Sequence, residues 1–248
     1  MKKRHAKTTG GPLNNQKTLT NMESKIFEYI LIIPPVLFAI TIHEVAHGFI
    51  AFKRGDSTAF LMGRLNLNPL KHLDLFGSFI FPALLIFFKA PFVFGWAKPV
   101  PVNFFALKNP KRDMIWVSAA GPGSNLLVAA AAGLFFRLLY PFYGGPETVL
   151  HPVMVILFYF VLIDTALAVF NLIPIPPLDG SKILAGLLPG PLSAKYLSLE
   201  KYGMFIFMAL IIIIQLTKIN FLSYVLALPV VLISQFFGGP ELFQFMPR

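Results

Sequence analysis

The chain has 248 residues, of which 56% are hydrophobic and only 13% are Asp, Glu, Lys or Arg. Soluble domains average roughly 25% charged residues, so this chain has too few charges to cover a globular surface. Its mean hydropathy of +0.71 is typical of a membrane protein. The composition excludes an ordinary soluble enzyme, a disordered chain and a coiled coil. Because cysteine is absent, disulfides, iron–sulfur clusters and thiolate metal sites are excluded as well.

The formal net charge is +10. In a soluble protein this charge would suggest a nucleic-acid partner. Here the basic residues flank apolar stretches, which favours contact with anionic lipid headgroups. We therefore expect membrane lipids as partners and no nucleic acid.

The first residues, 1–25, are polar and rich in Lys, Thr, Gly and Asn. Such a segment cannot bury a core, which predicts a disordered N-terminal extension. No small-residue cleavage site follows the next apolar stretch, so a removable signal peptide is not predicted. Residues 26–240 are predicted to form a single transmembrane domain.

Six apolar stretches follow in chain order: 26–52, 75–88, 114–136, 152–171, 202–217 and 219–240. They predict an all-α polytopic membrane protein with about six transmembrane segments. The pair Pro34-Pro35 predicts a regular helix from about Pro35 to Phe52, preceded by a separate or kinked piece. As a helix, 75–88 would reach only about 21 Å, so it either crosses a thinned bilayer or is re-entrant.

The segment 91–105, PFVFGWAKPVPVNFF, differs from these stretches. Its three prolines and one glycine forbid a regular helix, and its aromatic and β-branched residues predict an extended β-hairpin. An open strand edge is not tolerated in lipid unless protein or a cavity shelters it. The hairpin is therefore predicted to be interfacial, or to be re-entrant within a protein-lined cleft, between the first and third apolar stretches.

The strongest signal for chemistry is His43-Glu44-Val45-Ala46-His47 in the first apolar stretch. Residues four apart lie on one helix face, so His43 and His47 can present two nitrogens to a tetrahedral Zn²⁺. Glu44 is near enough to act as a general base on water at such a metal. The alternative is a structural histidine pair. We disfavour it because three ionisable groups within five residues of an apolar helix are costly.

A catalytic zinc usually has three protein ligands, so a further Asp, Glu or His is needed. Asp179 ends the motif NLIPIPPLDG, whose prolines break the preceding helix and whose glycine allows a turn. Non-helical backbone at membrane depth survives only against protein or a water cavity, so this motif could carry Asp179 to the histidine pair. The alternative is an acidic loop residue at the headgroup level. The other candidates are His72, His151, Asp164, Glu147 and Asp74.

Together, HEVAHG in the first stretch and NLIPIPPLDG after a later one resemble the site-2 proteases, which are intramembrane zinc metalloproteases. GWAKPVPVN and AAGPGSN are similar to the compact bacterial and archaeal branch, which lacks an inserted PDZ domain. The resemblance covers about residues 35–185, the expected core of the domain, and its four motifs follow the family's order.

The resemblance implies that His43, His47 and Asp179 bind one Zn²⁺ and that Glu44 is the general base. It also implies that Asn171 lies at the active site, where its amide could position substrate or stabilise an oxyanion. A helix–helix hydrogen bond is an equally open role for Asn171.

Segment 91–105, with Gly95, Val100 and Val102, resembles the family's membrane-dipping hairpin, which is proposed to clamp an unwound substrate as an added strand. Asn125 in AAGPGSN is interpreted as a residue that packs or makes a polar contact between helices, rather than as a catalytic residue. Asp164 lies inside an otherwise uncharged span, where it could pair with a Lys or a backbone group or belong to a polar network, and it is assigned no role.

The function that the resemblance implies is zinc-dependent endopeptidase cleavage within transmembrane segments of other proteins, as in regulated intramembrane proteolysis. We expect an integral protein of a prokaryotic cell membrane, with its active site toward the cytosolic side. One alternative is a metal-ion transporter, which would need more intramembrane acids and inverted repeats. The other is a catalytically silent scaffold for transmembrane helices, which would be expected to lack the Glu or a ligand.

Overall fold

The computed structural model describes the backbone of residues 12–88, 95, 97–206, 208–209 and 221–246. The α-helices are α1 (Pro12–Lys53), α2 (Thr58–Leu61), α3 (Phe81–Phe87), α4 (Pro110–Leu139), α5 (His151–Asn171), α6 (Asp179–Leu187), α7 (Gly190–Leu197) and α8 (Phe221–Gly238). Short 3₁₀ turns lie at Pro69–Lys71, Phe104–Ala106, Tyr140–Phe142, Glu200–Tyr202 and Pro240–Phe245, and a π-helical turn, Leu75–Ile80, precedes α3. Residues 203–206 and 208–209 are also helical.

Within the described ranges the fold is all-helical, which confirms an all-α membrane architecture. Three helices there are long and apolar enough to cross a bilayer: Tyr29–Lys53, Pro110–Phe142 and His151–Asn171. Leu75–Phe87 and Val225–Gly238 are shorter apolar helices. Six spans are therefore not confirmed, and much of the predicted span 202–217 lies outside the described residues.

The first helix is longer than the sequence predicts. It begins at Pro12 and continues through Pro34 and Pro35 without a break, so no separate piece precedes Pro35. Proline is tolerated inside a membrane helix because neighbouring groups and local adjustments satisfy the carbonyls it leaves free. Residues 12–25 form the first part of α1, so the predicted disorder of the N-terminal extension is not confirmed there. Residues 1–11 lie outside the described part of the chain.

Helix α4 is the centre of the fold, where it packs against α1, α5, α6 and α8. The main core cluster includes the fully buried Phe136, Met154 and Phe158. A Cβ at Gly133 would lie 2.7–2.8 Å from the Phe237 backbone and Cβ, so a glycine is needed where α4 approaches α8. The outer face of α4 leaves Leu127 74% exposed, which fits a surface that contacts lipid.

Residues 97–103, called the 97–103 segment below, are held against the connection that follows α1. The Lys98 N–H donates to the His72 carbonyl oxygen at 2.8 Å, and Arg64 donates to the Lys98 carbonyl oxygen at 2.9 Å. The Asn103 N–H donates to Asp56 Oδ2 at 2.6 Å. These contacts fix the segment beside the end of the helix that carries HEVAH.

Asp56 is the buried anchor of this connection. Its Oδ1 accepts the Thr58 N–H at 2.9 Å and the Thr58 hydroxyl, and its Oδ2 accepts Asn103. Burial alone would raise the pKa of the Asp56 carboxyl, but the hydrogen bonds from Thr58 and Asn103 lower it below its ordinary value. The ionised form therefore holds α2 and the 97–103 segment together.

The predicted β-hairpin at 91–105 is not confirmed. Residues 91–94 and 96 lie outside the described residues, and Gly95 and the 97–103 segment, which are described, contain no strand. Residues 104 and 105 form a 3₁₀ turn, because the Asn103 side chain accepts the Phe105 N–H at 3.1 Å and caps it. The expectation of a strand at these two positions is wrong.

Candidate metal centre

Two elements bring the predicted ligands together. His43 and His47 lie one turn apart on α1, and Asp179 is the first residue of α6. The chain between α5 and α6 is not helical, as the prolines of NLIPIPPLDG predict. A Cβ on Gly180 would collide with the Leu172 carbonyl oxygen, so only glycine allows the tight return that carries Asp179 back to α1.

The three side chains form one compact cluster. His43 Nε2 lies 3.1 Å from His47 Nε2, and Asp179 Oδ2 lies 3.1 Å from the first nitrogen and 3.2 Å from the second. Tetrahedral zinc ligands at about 2.0–2.2 Å from the metal would stand about 3.3–3.6 Å apart. The cluster therefore has nearly the size that such a metal requires, and these residues could hold a metal ion.

The hydrogen bonds behind the cluster leave acceptor atoms facing one another. His43 Nδ1 lies 2.7 Å from Asn125 Oδ1, and His47 Nδ1 lies 2.7 Å from the Val117 carbonyl oxygen. Both partners are oxygen acceptors, so each ring donates through Nδ1–H and Nε2 is the nitrogen that is left to bind a metal. Two imidazole nitrogens and a buried carboxylate oxygen then converge on one point, which is a donor set that binds zinc. The site thus fits a zinc ion by its own chemistry.

The Glu44 carboxylate faces the 97–103 segment. Its Oε2 accepts the Val100 N–H at 2.7 Å. Glu44 follows His43 directly in the chain, so this contact ties a residue beside the cluster to the segment where the sequence predicts substrate binding.

The AAGPGSN motif lies on α4 against the imidazole rings. A Cβ on Gly121 would collide with His47 Nε2 and would lie 2.7 Å from His43 Cε1. The glycine therefore allows the α4 backbone to approach the rings closely. The sequence predicts a packing residue or a polar contact between helices at Asn125 of this motif, and the structure shows Asn125 hydrogen-bonded to His43 on α1.

The other residues that the sequence predicts for the site make different contacts. Asn171 donates through its side-chain amide to the Leu167 carbonyl oxygen at 3.0 Å, one turn earlier in α5, so the structure does not bring it into the cluster. Outside the cluster, His72 bonds to the Asn66 carbonyl, His151 to the Tyr143 hydroxyl, Asp74 to the Gly77 N–H and Asp164 to Asn125. Of the candidate third ligands, Asp179 is the one that reaches the histidine pair among the described residues.

Comparisons with known proteins agree with this chemistry. Residues 141–214 match the model of Peptidase family M50. The chain is 39% identical over 179 residues to the "Putative zinc metalloprotease YwhC" of Bacillus subtilis, which covers 71% of this chain and 78% of that relative. It is 34% identical over 152 residues to the "Putative zinc metalloprotease Rip2" of Mycolicibacterium smegmatis, covering 61% of this chain and 55% of that relative. No solved structure matches the chain significantly.

The fold and the cluster thus define a membrane-embedded zinc metalloprotease. The chain belongs to Peptidase family M50, the site-2 protease family. Its family, its enzymatic class and its zinc cofactor are confirmed, whereas the role of each site residue stays a prediction.

Gly121→Ala should weaken zinc binding, because the added methyl group would displace the two imidazole rings. We expect the zinc affinity of the purified chain to fall about tenfold or more, as measured by competition with a chelator. Gly123→Ala is the matched control on the same helix, since a Cβ there meets nothing within 4 Å. Equal zinc affinities of the two variants would contradict the close approach of α4 to the rings.

Proposed function

We propose that this protein is an intramembrane endopeptidase that cleaves peptide bonds within transmembrane segments of other proteins. In this proposal His43, His47 and Asp179 hold the zinc ion and Glu44 is the general base. The observation that carries the proposal is the position of the cluster, because both histidines lie within the candidate span Tyr29–Lys53. At 1.5 Å per residue, His43 is about 15 Å from the end of that span, well inside a hydrocarbon core of about 30 Å.

The chemistry divides between the metal and the side chains around it. Zinc, when bound, supplies a Lewis acid that activates water and polarises the scissile carbonyl. Glu44 accepts a proton from the attacking water and delivers it to the amine that leaves. The hydrogen bond from the Val100 N–H holds the Glu44 carboxylate in one orientation. Asn125 and Val117 hold the two imidazole rings with Nε2 toward Asp179.

The substrate must be unwound before it can react. Peptide groups in a helix are already hydrogen-bonded and shielded, so a helix-breaking residue near the scissile bond would help to expose it. We propose that the exposed backbone pairs with the 97–103 segment as an added strand. In support, the Val102 N–H and the Val100 carbonyl have no hydrogen-bond partner among the described residues, and the Val100 N–H already contacts the proposed base.

Two predicted site residues have a less direct place in this proposal. The Asn171 amide would have to leave the Leu167 carbonyl to contact a substrate, so its role at the transition state stays a prediction. Gly95 lies against the π-helical turn, where a Cβ would be 2.5 Å from the Gly77 carbonyl oxygen. We propose that Gly95 allows the substrate-binding segment to pack closely there.

We propose that the active site lies toward the cytosol, as the family resemblance implies. The Arg54–Asp113 ion pair at 3.2 Å joins the end of α1 to the start of α4. This end carries Lys53, Arg54, Lys108, Lys111 and Arg112, whereas the connection 140–150 between α4 and α5 has no Lys or Arg. The positive-inside rule favours the cytosol for this basic end, but it equally favours the cytosol for residues 1–25, which carry six Lys or Arg residues, so the family resemblance and not the charge carries this part of the proposal. Cleavage in the cell membrane of a prokaryote would then release a cytosolic or membrane-proximal fragment, as happens in regulated intramembrane proteolysis.

Membership of a metalloprotease family favours this reading over the two alternatives from the sequence, a transporter and a silent scaffold. Glu44 and the three-residue cluster are all present, as a protease requires.

Glu44→Gln should abolish cleavage and leave zinc binding intact, because the amide cannot accept the proton. We expect cleavage of a single-span test substrate in lipid vesicles to slow by about 10²–10⁴-fold. Glu147→Gln is the control for an exposed carboxylate far along the chain and should cleave at the wild-type rate. A Glu44→Gln protein that cleaves as fast as wild type would refute the general-base role.

Val102→Pro should slow cleavage without loss of zinc, because proline removes the N–H that is proposed to pair with substrate. Val102→Ala keeps that N–H and should retain more activity than Val102→Pro. The measurement is the initial rate of substrate cleavage at equal zinc loading. If the proline variant were as active as the alanine variant, pairing through this N–H would be wrong.

A further inference from the structure

We propose that Asp164 positions His43 for metal binding by fixing the orientation of the Asn125 side-chain amide. Asp164 is then a positioning residue, since it acts through Asn125 and does not touch the metal cluster. The inference rests on the proposed function, because it takes His43 to be a zinc ligand.

The three residues form a continuous hydrogen-bonded chain across α1, α4 and α5. Asn125 Nδ2 donates to Asp164 Oδ1 at 2.7 Å and to the Ala39 carbonyl oxygen at 3.0 Å. Asn125 Oδ1 accepts from His43 Nδ1 at 2.7 Å. Asn125 and Asp164 are both 0% exposed, so water does not compete for these bonds.

The chain of bonds selects one tautomer of His43. An asparagine amide can face either way, and its partners decide which end points where. The Ala39 carbonyl and the Asp164 carboxylate are both acceptors, so together they take both N–H groups of Asn125. The amide oxygen must then face His43, so that Nδ1 carries the ring proton and Nε2 keeps its lone pair for a metal.

Without the Asp164 carboxylate, the opposite orientation of the Asn125 amide costs less free energy. The amide would lose one of its two acceptors, and a flip would turn an N–H toward His43 Nδ1. That ring nitrogen would then have to accept, and the proton would move to Nε2, where it would block metal binding. Asp164 therefore disfavours the inactive tautomer.

Comparison with His47 shows why only His43 needs a positioning residue. The acceptor of His47 Nδ1 is the Val117 backbone carbonyl, which belongs to α4 and cannot flip. The acceptor of His43 is a side-chain amide, which has two possible orientations. An additional acceptor-only group behind the amide removes that ambiguity.

The burial of Asp164 also calls for a functional reason. An ionisable residue within a membrane span is costly and is rarely kept without a role. The second carboxylate oxygen, Oδ2, is buried and has no hydrogen-bond partner among the described residues. The surrounding structure therefore compensates only part of the cost of Asp164, and its bond to Asn125 is the contact that connects it to the site.

The test measures zinc affinity of the purified full-length chain in lipid nanodiscs, with zinc alone as the probe and a chelator as competitor. Asp164→Leu should lower the affinity about tenfold or more. Asp164→Asn should retain most of it, because its amide oxygen can still accept from Asn125. Thr165→Val, which removes a fully buried hydroxyl from the next position on α5, is the matched control and should bind zinc as wild type does.

A reciprocal exchange separates positioning from simple packing. Asn125→Asp places two carboxylates in contact where a hydrogen bond stood, and zinc affinity should fall. Adding Asp164→Asn restores a donor between the two positions and an acceptor toward His43 Nδ1. The double variant should therefore bind zinc more tightly than Asn125→Asp alone, which simple packing would not predict, because Asp and Asn have nearly the same size.

Wild-type affinity in Asp164→Leu, an equal loss in Thr165→Val, or the absence of rescue in the double variant would each overturn the inference. His43→Ala separates this failure from failure of the proposed function. If His43→Ala loses zinc while Asp164→Leu keeps it, only the positioning role is wrong. If His43→Ala keeps zinc, the proposed ligand set itself is wrong.

Discussion

The structure depends on the convergence of three acceptor atoms on one point. His43 Nε2, His47 Nε2 and Asp179 Oδ2 lie within 3.2 Å of one another, and the histidine protons are engaged on the far side of each ring. In a site largely closed to water, two imidazole nitrogens and a carboxylate oxygen form a donor set that a bound cation stabilises. The architecture around them is best understood as the means of holding this arrangement inside a membrane protein.

Each neighbouring element helps to hold the three atoms in place. Helix α1 spaces the two histidines, and the proline-broken chain after α5 returns Asp179 to them. Helix α4 approaches closely through Gly121 and supplies both acceptors, the Val117 carbonyl and Asn125. The 97–103 segment lies beside α1, because Asp56 and Glu44 each accept one of its N–H groups. Glu44 and the 97–103 segment are therefore joined by hydrogen bonds.

Sequence patterns predicted the local features of the site well. Helical spacing alone places His43 and His47 on one face, and the prolines before Asp179 predict the helix break that the structure shows. The choice of Asp179 over the other acids came from the family resemblance. The Asn125–Asp164 chain was missed, because it joins residues 39 positions apart for which no local pattern exists. The one feature of the sequence that pointed to this chain of bonds was the Asp164 carboxylate within an otherwise uncharged span. The prediction that Pro34-Pro35 would interrupt the first helix was wrong, because tertiary context outweighs the preference of proline for a helix start.

The central claim is the ligand set, and zinc stoichiometry tests it most directly. The full-length chain should be purified under chelator-free conditions as wild type, His43→Ala, Asp179→Ala and Glu44→Gln, and its zinc measured by elemental analysis. The account predicts about one zinc per chain in wild type and Glu44→Gln, and loss of that zinc in both ligand variants. Full zinc content in a correctly folded Asp179→Ala protein would contradict it and would place the third ligand elsewhere.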